Sequence, residues 1–284
     1  MYKLFKNLAI LSSILIFLSL GLLFAYRWLN TNQINGVVAK TLILGDSQTQ
    51  NGLDPAYMKP GTINYSNSAE PFYIVRQKLL ALSSRQKPIM VILPLSKLNL
   101  SHEIEKRWIN NDTVFSEKSS SYFGAIELPR PKMVRTDLKT QLQRLHKLIY
   151  RSIYALERKL FLRQENILGG YYSNNGKFDE TKKCVTGPQI FKPSKLQIIE
   201  LYAIQKYCVK VGIKLILVSM PKYCRTKLEL EDVFKCHPST KFIDCHDWYI
   251  GRADYFADFN HLNVKGSRLF SRRLDAIISK NELP

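Results

Sequence analysis

The most apolar stretch of the chain lies at its N-terminus. Residues 8–26 are dominated by Leu, Ile and Phe, and no charged side chain occurs between Lys6 and Arg27. A helix of about 20 apolar residues can span a hydrocarbon core of roughly 30 Å. A cleaved signal peptide is the alternative, but its apolar core is usually only about 7–15 residues long and ends in a small-residue cleavage site. The pattern favours an uncleaved transmembrane signal anchor over residues 1–27.

The charges around this span indicate its orientation weakly. Lys3 and Lys6 precede it and Arg27 alone follows closely, a bias that favours an N-terminus in the cytoplasm. Residues 28–38 are polar and predict a linker from the membrane to the rest of the chain. We therefore expect a single-pass protein with its C-terminal domain outside the cytoplasm.

Beyond the linker, short apolar runs alternate with helical periodicity. The run 88–94 is continuously apolar between two prolines, which is typical of a central parallel strand. The predicted strands are 39–45, 63–66, 88–94, 213–221 and 241–245, and the predicted helices are 71–82, 193–211 and 266–280. This alternation predicts an α/β fold over residues 39–284, with a parallel sheet and helices on both faces.

Residues 101–190 interrupt that alternation. The stretch 134–163 shows helical periodicity with many Lys and Arg, and 169–188 is rich in Gly, Asn and Tyr. We predict a helical insertion over the strand ends, where a lid or cleft wall would lie.

The whole chain is basic, with a formal net charge of +19 over 284 residues. Nucleic-acid binding is one explanation, but no basic-aromatic motif or finger spacing supports it, so we predict no nucleic-acid partner. A domain beside an anionic envelope surface would explain the charge equally well. A generally basic, solvated surface is the simplest explanation.

All five cysteines lie in the C-terminal half: Cys184, Cys208, Cys224, Cys236 and Cys245. The pairs Cys236-His237 and Cys245-His246 lack the spacing of a structural zinc site. An oxidising exterior favours one or two disulfides, with buried free thiols and a metal site as alternatives. We predict no metal.

Two short motifs carry candidate chemistry. Gly45-Asp46-Ser47 follows the first apolar strand, and Asp258-x-x-His261 precedes the last helix. A serine hydroxyl becomes a nucleophile when a histidine takes its proton and a carboxylate orients that histidine. Each motif also has a structural interpretation: Asp46 or Ser47 can cap the following segment, and Asn260 or Asn263 can cap the final helix.

These motifs and their order resemble the SGNH (GDSL-like) hydrolase superfamily over residues 40–280. The resemblance implies a flavodoxin-like three-layer sandwich in which Ser47, Asp258 and His261 are catalytic. It also implies oxyanion donors from two middle blocks. The second block is commonly Asn-x-Gly and here reads Asn64-Tyr65-Ser66, so Ser66 replaces the glycine. In the third block the candidate is Asn99.

More specifically, the chain is similar to membrane-anchored SGNH-like proteins of bacterial envelopes. That implies an esterase or O-acyltransferase, such as an O-acetyltransferase, in the inner membrane with an extracytoplasmic domain. Its substrate would be an acylated glycan or another ester, and a multispanning acyl-donor protein would be a further partner. No cofactor is implied. The alternative is a non-catalytic SGNH-like binding or scaffold protein, which the altered middle blocks favour.

Overall fold

The computed structural model describes residues 2–35, 38–109, 169–184, 191–225 and 237–280, with isolated positions between 115 and 157. The chain divides into two compact units. One comprises residues 1–37 and 109–167, and the other comprises 38–108 and 168–284.

Helix α1 (Tyr2–Asn35) occupies most of the described part of the first unit. Its segment Tyr2–Trp28 contains an 18-residue stretch with a mean hydropathy of 2.6 and is long and apolar enough to cross a membrane. The helix continues through Asn35, so most of the predicted linker 28–38 is helical. The predicted helical region 134–163 falls almost entirely outside the described residues.

The second unit is built on a five-stranded sheet in the order β2-β1-β3-β4-β5, and every pair is parallel. The strands are β1 (Thr41–Ile43), β2 (Thr62–Asn64), β3 (Met90–Pro94), β4 (Lys214–Ser219) and β5 (Lys241–Asp244). This order is the flavodoxin-like one, in which the chain reverses its direction of progress beside the first strand. The predicted parallel α/β fold is confirmed.

The helices of this unit are α2 (Ser47–Gly52), α3 (Phe72–Ser83), α4 (His102–Trp108), α5 (Lys195–Val211) and α6 (Val264–Lys280). Helix α3 contacts α5, whereas α2 contacts α6. Successive side chains of a strand point to opposite faces. Ile43 and Ile92 therefore reach the same core as Phe270 and Leu274 of α6.

Sequence patterning locates most elements to within two or three residues, including β3, α3, α5 and the closing helix α6. It does not predict the six-residue α2 or the seven-residue α4. Helix α2 has the sequence Ser-Gln-Thr-Gln-Asn-Gly, which contains no apolar residue and therefore no helical periodicity.

A fully buried ion pair supports the loop that follows β2. The Lys78 ammonium group lies 2.6 Å from Glu70 Oε1 and donates a hydrogen bond of 2.9 Å to the carbonyl of Tyr65. Both charged side chains are inaccessible to solvent. Removing one partner of such a pair leaves an uncompensated buried charge, which is strongly destabilising.

We predict that Lys78→Met lowers the free energy of unfolding by about 3–5 kcal/mol, because the buried Glu70 carboxylate would lose its ion pair with Lys78. Urea denaturation of the full chain, followed by tryptophan fluorescence, measures the change. Lys106→Met is the matched control, because its partner Glu103 is exposed, and it should cost no more than about 1 kcal/mol. Equal midpoints for the two variants would contradict the prediction.

Candidate active site

Ser47 stands at the sharp turn between β1 and α2. Gly45 has φ of +140°, a conformation that residues with a Cβ rarely adopt. A Cβ at this position would also lie 2.4 Å from the Pro94 ring and 2.7 Å from the Thr49 hydroxyl. Glycine is therefore required here, and the turn directs the next two residues onto the carboxyl edge of the sheet.

Asp46 is a structural residue of this turn. One carboxylate oxygen accepts a hydrogen bond from the Gln48 N–H at 2.9 Å and so caps α2. The other accepts one from the Asn99 side-chain amide at 2.8 Å. The capping interpretation is thus correct for Asp46, and it leaves the neighbouring Ser47 hydroxyl available for another contact.

That contact is with His261. The Ser47 hydroxyl oxygen lies 2.8 Å from His261 Nε2, although 214 positions separate the two residues. His261 Nδ1 lies 2.8 Å from Asp258 Oδ2 and 3.0 Å from Oδ1. A carboxylate accepts only, so Nδ1 carries the proton and Nε2 accepts from the serine hydroxyl. The structure brings together the three residues predicted from the motifs.

The Asp258–His261 loop is closed by its own carboxylate. Asp258 Oδ1 also accepts from the backbone N–H groups of Asn260 and His261, at 2.8 and 3.0 Å. Partial burial opposes ionisation, but the hydrogen bonds from His261 and Asn260 outweigh it and keep the pKa of Asp258 below its ordinary value. Asn263 accepts from the Gly266 N–H and begins α6, so the predicted cap coexists with the loop.

Ser47, His261 and Asp258 form a hydrogen-bonded relay whose histidine and carboxylate are accessible to solvent. The side chain of His261 is 26% exposed and that of Asp258 is 53% exposed. Serine, imidazole and carboxylate in this order have the geometry needed to move a proton from the hydroxyl during attack on a carbonyl. The arrangement can therefore activate a serine nucleophile.

The two predicted oxyanion donors are already engaged inside the protein. The Ser66 N–H donates to Asn64 Oδ1 at 2.8 Å, and the Asn64 amide group donates to the Thr49 and Leu53 carbonyls. Asn99 donates one N–H to Asp46. An amide group has two N–H bonds, so Asn99 keeps one donor besides this contact, whereas Ser66 has a single backbone N–H.

A segment that the motifs do not include, residues 169–184, contacts the loop after β2, helix α2 and the Asp258–His261 loop; we call it the strap. The Gly170 N–H donates to the Ser66 carbonyl, and the Tyr172 N–H donates to the Gln50 carbonyl in α2. Gly169 has φ of +97°, and a Cβ there would lie 2.3 Å from the Ser66 carbonyl oxygen. Only glycine permits this approach.

The far end of the strap reaches the Asp258–His261 loop, which we call the histidine loop. Phe178 lies against Tyr223 and Phe259, with ring centroids 4.0 and 5.2 Å apart. Six residues later, a disulfide joins Cys184 to Cys224. The strap therefore links the loop after β2, helix α2 and the histidine loop to the segment that leaves β4.

The remaining cysteines separate into two groups. Cys208 and Cys245 are buried free thiols, and burial raises the pKa of each. Cys236 lies outside the described residues. Within the described part of the chain, no group of three or more His, Cys, Asp or Glu side chains is arranged to hold a metal ion.

No family model matches the chain, and no curated protein matches it either. Among solved structures, the chain is similar to one from Streptococcus pneumonia that is provisionally described as a platelet activating factor. The two are 11% identical, the alignment covers 96% of this chain and 98% of the other, and the TM-score is 0.40. The conclusion about function therefore rests on the geometry of the site.

We predict that replacing both Cys184 and Cys224 by serine destabilises the protein by up to about 4 kcal/mol, because the bond closes a loop with a sequence separation of 40. Urea denaturation of the full chain measures the change. A reductant should shift wild type to the midpoint of the variant and leave the variant unchanged. A reductant effect of equal size on both proteins would contradict the prediction.

Proposed function

We propose that the chain is a membrane-anchored, SGNH-like serine esterase or O-acyltransferase that acts outside the cytoplasm. The observation that carries the proposal is the Ser47–His261–Asp258 relay, with both hydrogen-bonded contacts at 2.8 Å. The parallel sheet in flavodoxin-like order also supports it, because ligands of such sheets bind beyond the carboxyl ends of the strands.

In the proposed reaction, Ser47 Oγ attacks the acyl carbonyl while His261 Nε2 takes its proton. His261 then returns that proton to the leaving oxygen, and the acyl group remains on Ser47. Asp258 holds the imidazole in the required tautomer and orientation. Water or a sugar hydroxyl then gives its proton to His261 Nε2 and attacks the acyl carbonyl. The bond from Ser47 Oγ to the acyl group breaks, and His261 returns the proton to Ser47, which gives hydrolysis or transfer.

The developing oxyanion needs donors that face the attacked carbonyl. The Ser47 N–H is one candidate, because the first N–H groups of a helix have no intrahelical partner. The second N–H of Asn99 is another. The Ser66 N–H would have to exchange its bond to Asn64 for one to the substrate, so it contributes least in this arrangement.

The envelope setting and the substrate class are the remaining parts of the proposal. A helix that can cross a membrane precedes the catalytic unit, and the net charge of +19 suits a surface of anionic envelope polymers. An O-acyl group on such a glycan would be the ester. An acyl-donor protein in the membrane would supply the acyl group if the reaction is transfer.

The test of the nucleophile is hydrolysis of an aryl acetate by the full chain in detergent. We expect Ser47→Ala to lower kcat by about 10³-fold or more, because the variant lacks the hydroxyl that forms the acyl-enzyme. A fluorophosphonate should add to Ser47, as located by peptide mass spectrometry.

Ser68→Ala is the matched control, because Ser68 is an exposed serine in the loop near Ser66. It should keep full activity and full labelling. If Ser47→Ala and Ser68→Ala turn over the ester equally, Ser47 is not the nucleophile.

We predict that Asn99→Ala lowers kcat about 10²–10³-fold with little change in KM, because an oxyanion donor acts mainly in the transition state. Titration with the fluorophosphonate counts the active sites in each preparation. A fall in the number of sites, with normal turnover per site, would instead assign Asn99 to support of the Asp46 cap.

A non-catalytic binding or scaffold protein is the second candidate. The observation that favours it is the internal engagement of the Ser66 N–H by Asn64 and of the Asn99 amide by Asp46. This candidate predicts no turnover and no phosphonate adduct, while the relay geometry would remain as a structural feature.

A further inference from the structure

Lys222 reaches the active site from a part of the chain that neither motif contains. It lies three residues beyond β4, at the same edge of the sheet as Ser47. Its backbone is fixed on both sides: its N–H donates to the His246 carbonyl, and the next N–H, of Tyr223, donates to the Phe259 carbonyl. The disulfide at Cys224 follows directly.

From this fixed segment, the side chain extends to the histidine loop. Lys222 Nζ donates a hydrogen bond of 2.9 Å to Asn260 Oδ1. Asn260 is the residue before His261, and its own N–H donates to the Asp258 carboxylate. An ammonium donor makes a hydrogen bond roughly twice as strong as a neutral one.

The charges around Lys222 are mainly negative. The carboxylates of Asp46, from the β1 turn, and Asp258, from the histidine loop, both favour its charged form. The segment that follows β5 contributes His246, whose Nδ1 lies 3.2 Å from Oδ1 of Asp247. Its own segment adds the phenol ring of Tyr223 and Cys224, whose sulfur is bonded to Cys184.

We propose that Lys222 is a positioning residue: its ammonium group, bonded to Asn260, holds the Asp258–His261 loop in the geometry that the Ser47 contact requires. The expected effect of Lys222 on turnover rests on the function proposed above. Its expected effect on the position of the loop does not.

The protonation of Lys222 makes the role measurable. Burial lowers its pKa to about 8, against the opposing influence of Asp46 and Asp258. The ammonium form is present below that pH and is lost as the pH rises through it. The bond to Asn260 weakens at that point, so the loop is held less firmly in alkaline solution.

The experiment compares pH profiles of kcat for the full chain in detergent, with hydrolysis by Ser47→Ala subtracted at each pH. Wild-type kcat should fall to about half its plateau near pH 8. Lys222→Arg, which stays charged, should keep the plateau to at least about pH 9.5. Lys222→Met should be about tenfold slower at pH 7 and show no fall near pH 8.

Two further variants separate positioning from general stability. Asn260→Ala removes the acceptor but keeps the Lys222 charge, and it should also lose the fall near pH 8. Lys265→Met removes an exposed lysine that pairs with Asp254 at the start of α6, and its profile should match that of wild type. A purely structural role would lower activity equally at all pH values and leave the midpoint unchanged.

A second measurement needs no turnover. In the full chain labelled with ¹⁵N-phenylalanine, the amide signal of Phe259, assigned by its loss in Phe259→Leu, should shift with a midpoint near pH 8. The same transition should be absent in Lys222→Arg and Lys222→Met. A Phe259 transition that persists in both variants, or a Lys222→Arg profile that falls where wild type does, overturns the proposal. Failure of the esterase alone would show as equal turnover by wild type and Ser47→Ala, with the Phe259 transition intact.

Discussion

The parallel direction of all five strands is the constraint on which the site depends. When strands run the same way, every carboxyl end lies on one edge, and the loops that leave those ends meet there. Ser47 follows β1 and Lys222 follows β4, while the histidine loop comes after β5 and before α6. Ser47 and His261 are 214 positions apart in the sequence, and this topology brings them within hydrogen-bonding distance.

The sequence predicts the sheet and the serine–histidine–aspartate set for a common physical reason. Buried parallel strands are continuous apolar runs, and the prolines around residues 88–94 mark the limits of one. The motifs at Ser47 and Asp258–His261 then need only the topology to bring them together. Helix α2 could not be found in this way, because an all-polar segment of six residues depends on its cap and its neighbours rather than on periodicity.

The surroundings of the site are less predictable, because they depend on tertiary contacts between residues of ordinary type. Asn64 donates to the carbonyls of Thr49 and Leu53 and accepts from the N–H of Ser66. The resemblance to a family motif predicts an oxyanion donor at Ser66 but does not predict these internal contacts. From the sequence, the strap is predicted only as part of a loop rich in Gly, Asn and Tyr. Its backbone contacts and the choice of Cys184 with Cys224 among five cysteines follow from the folded chain alone.

The exposure of Asp258 determines how that carboxylate can act. With about half of its side chain in contact with water, its electric field at the imidazole is damped by solvent and by dissolved ions. Its directed hydrogen bonds to Nδ1 and to two backbone N–H groups are short-range and far less sensitive to that damping. Asp258 is therefore better suited to fixing the angle of the ring than to stabilising its charge, and the ionic strength of the surroundings would have little influence on that task.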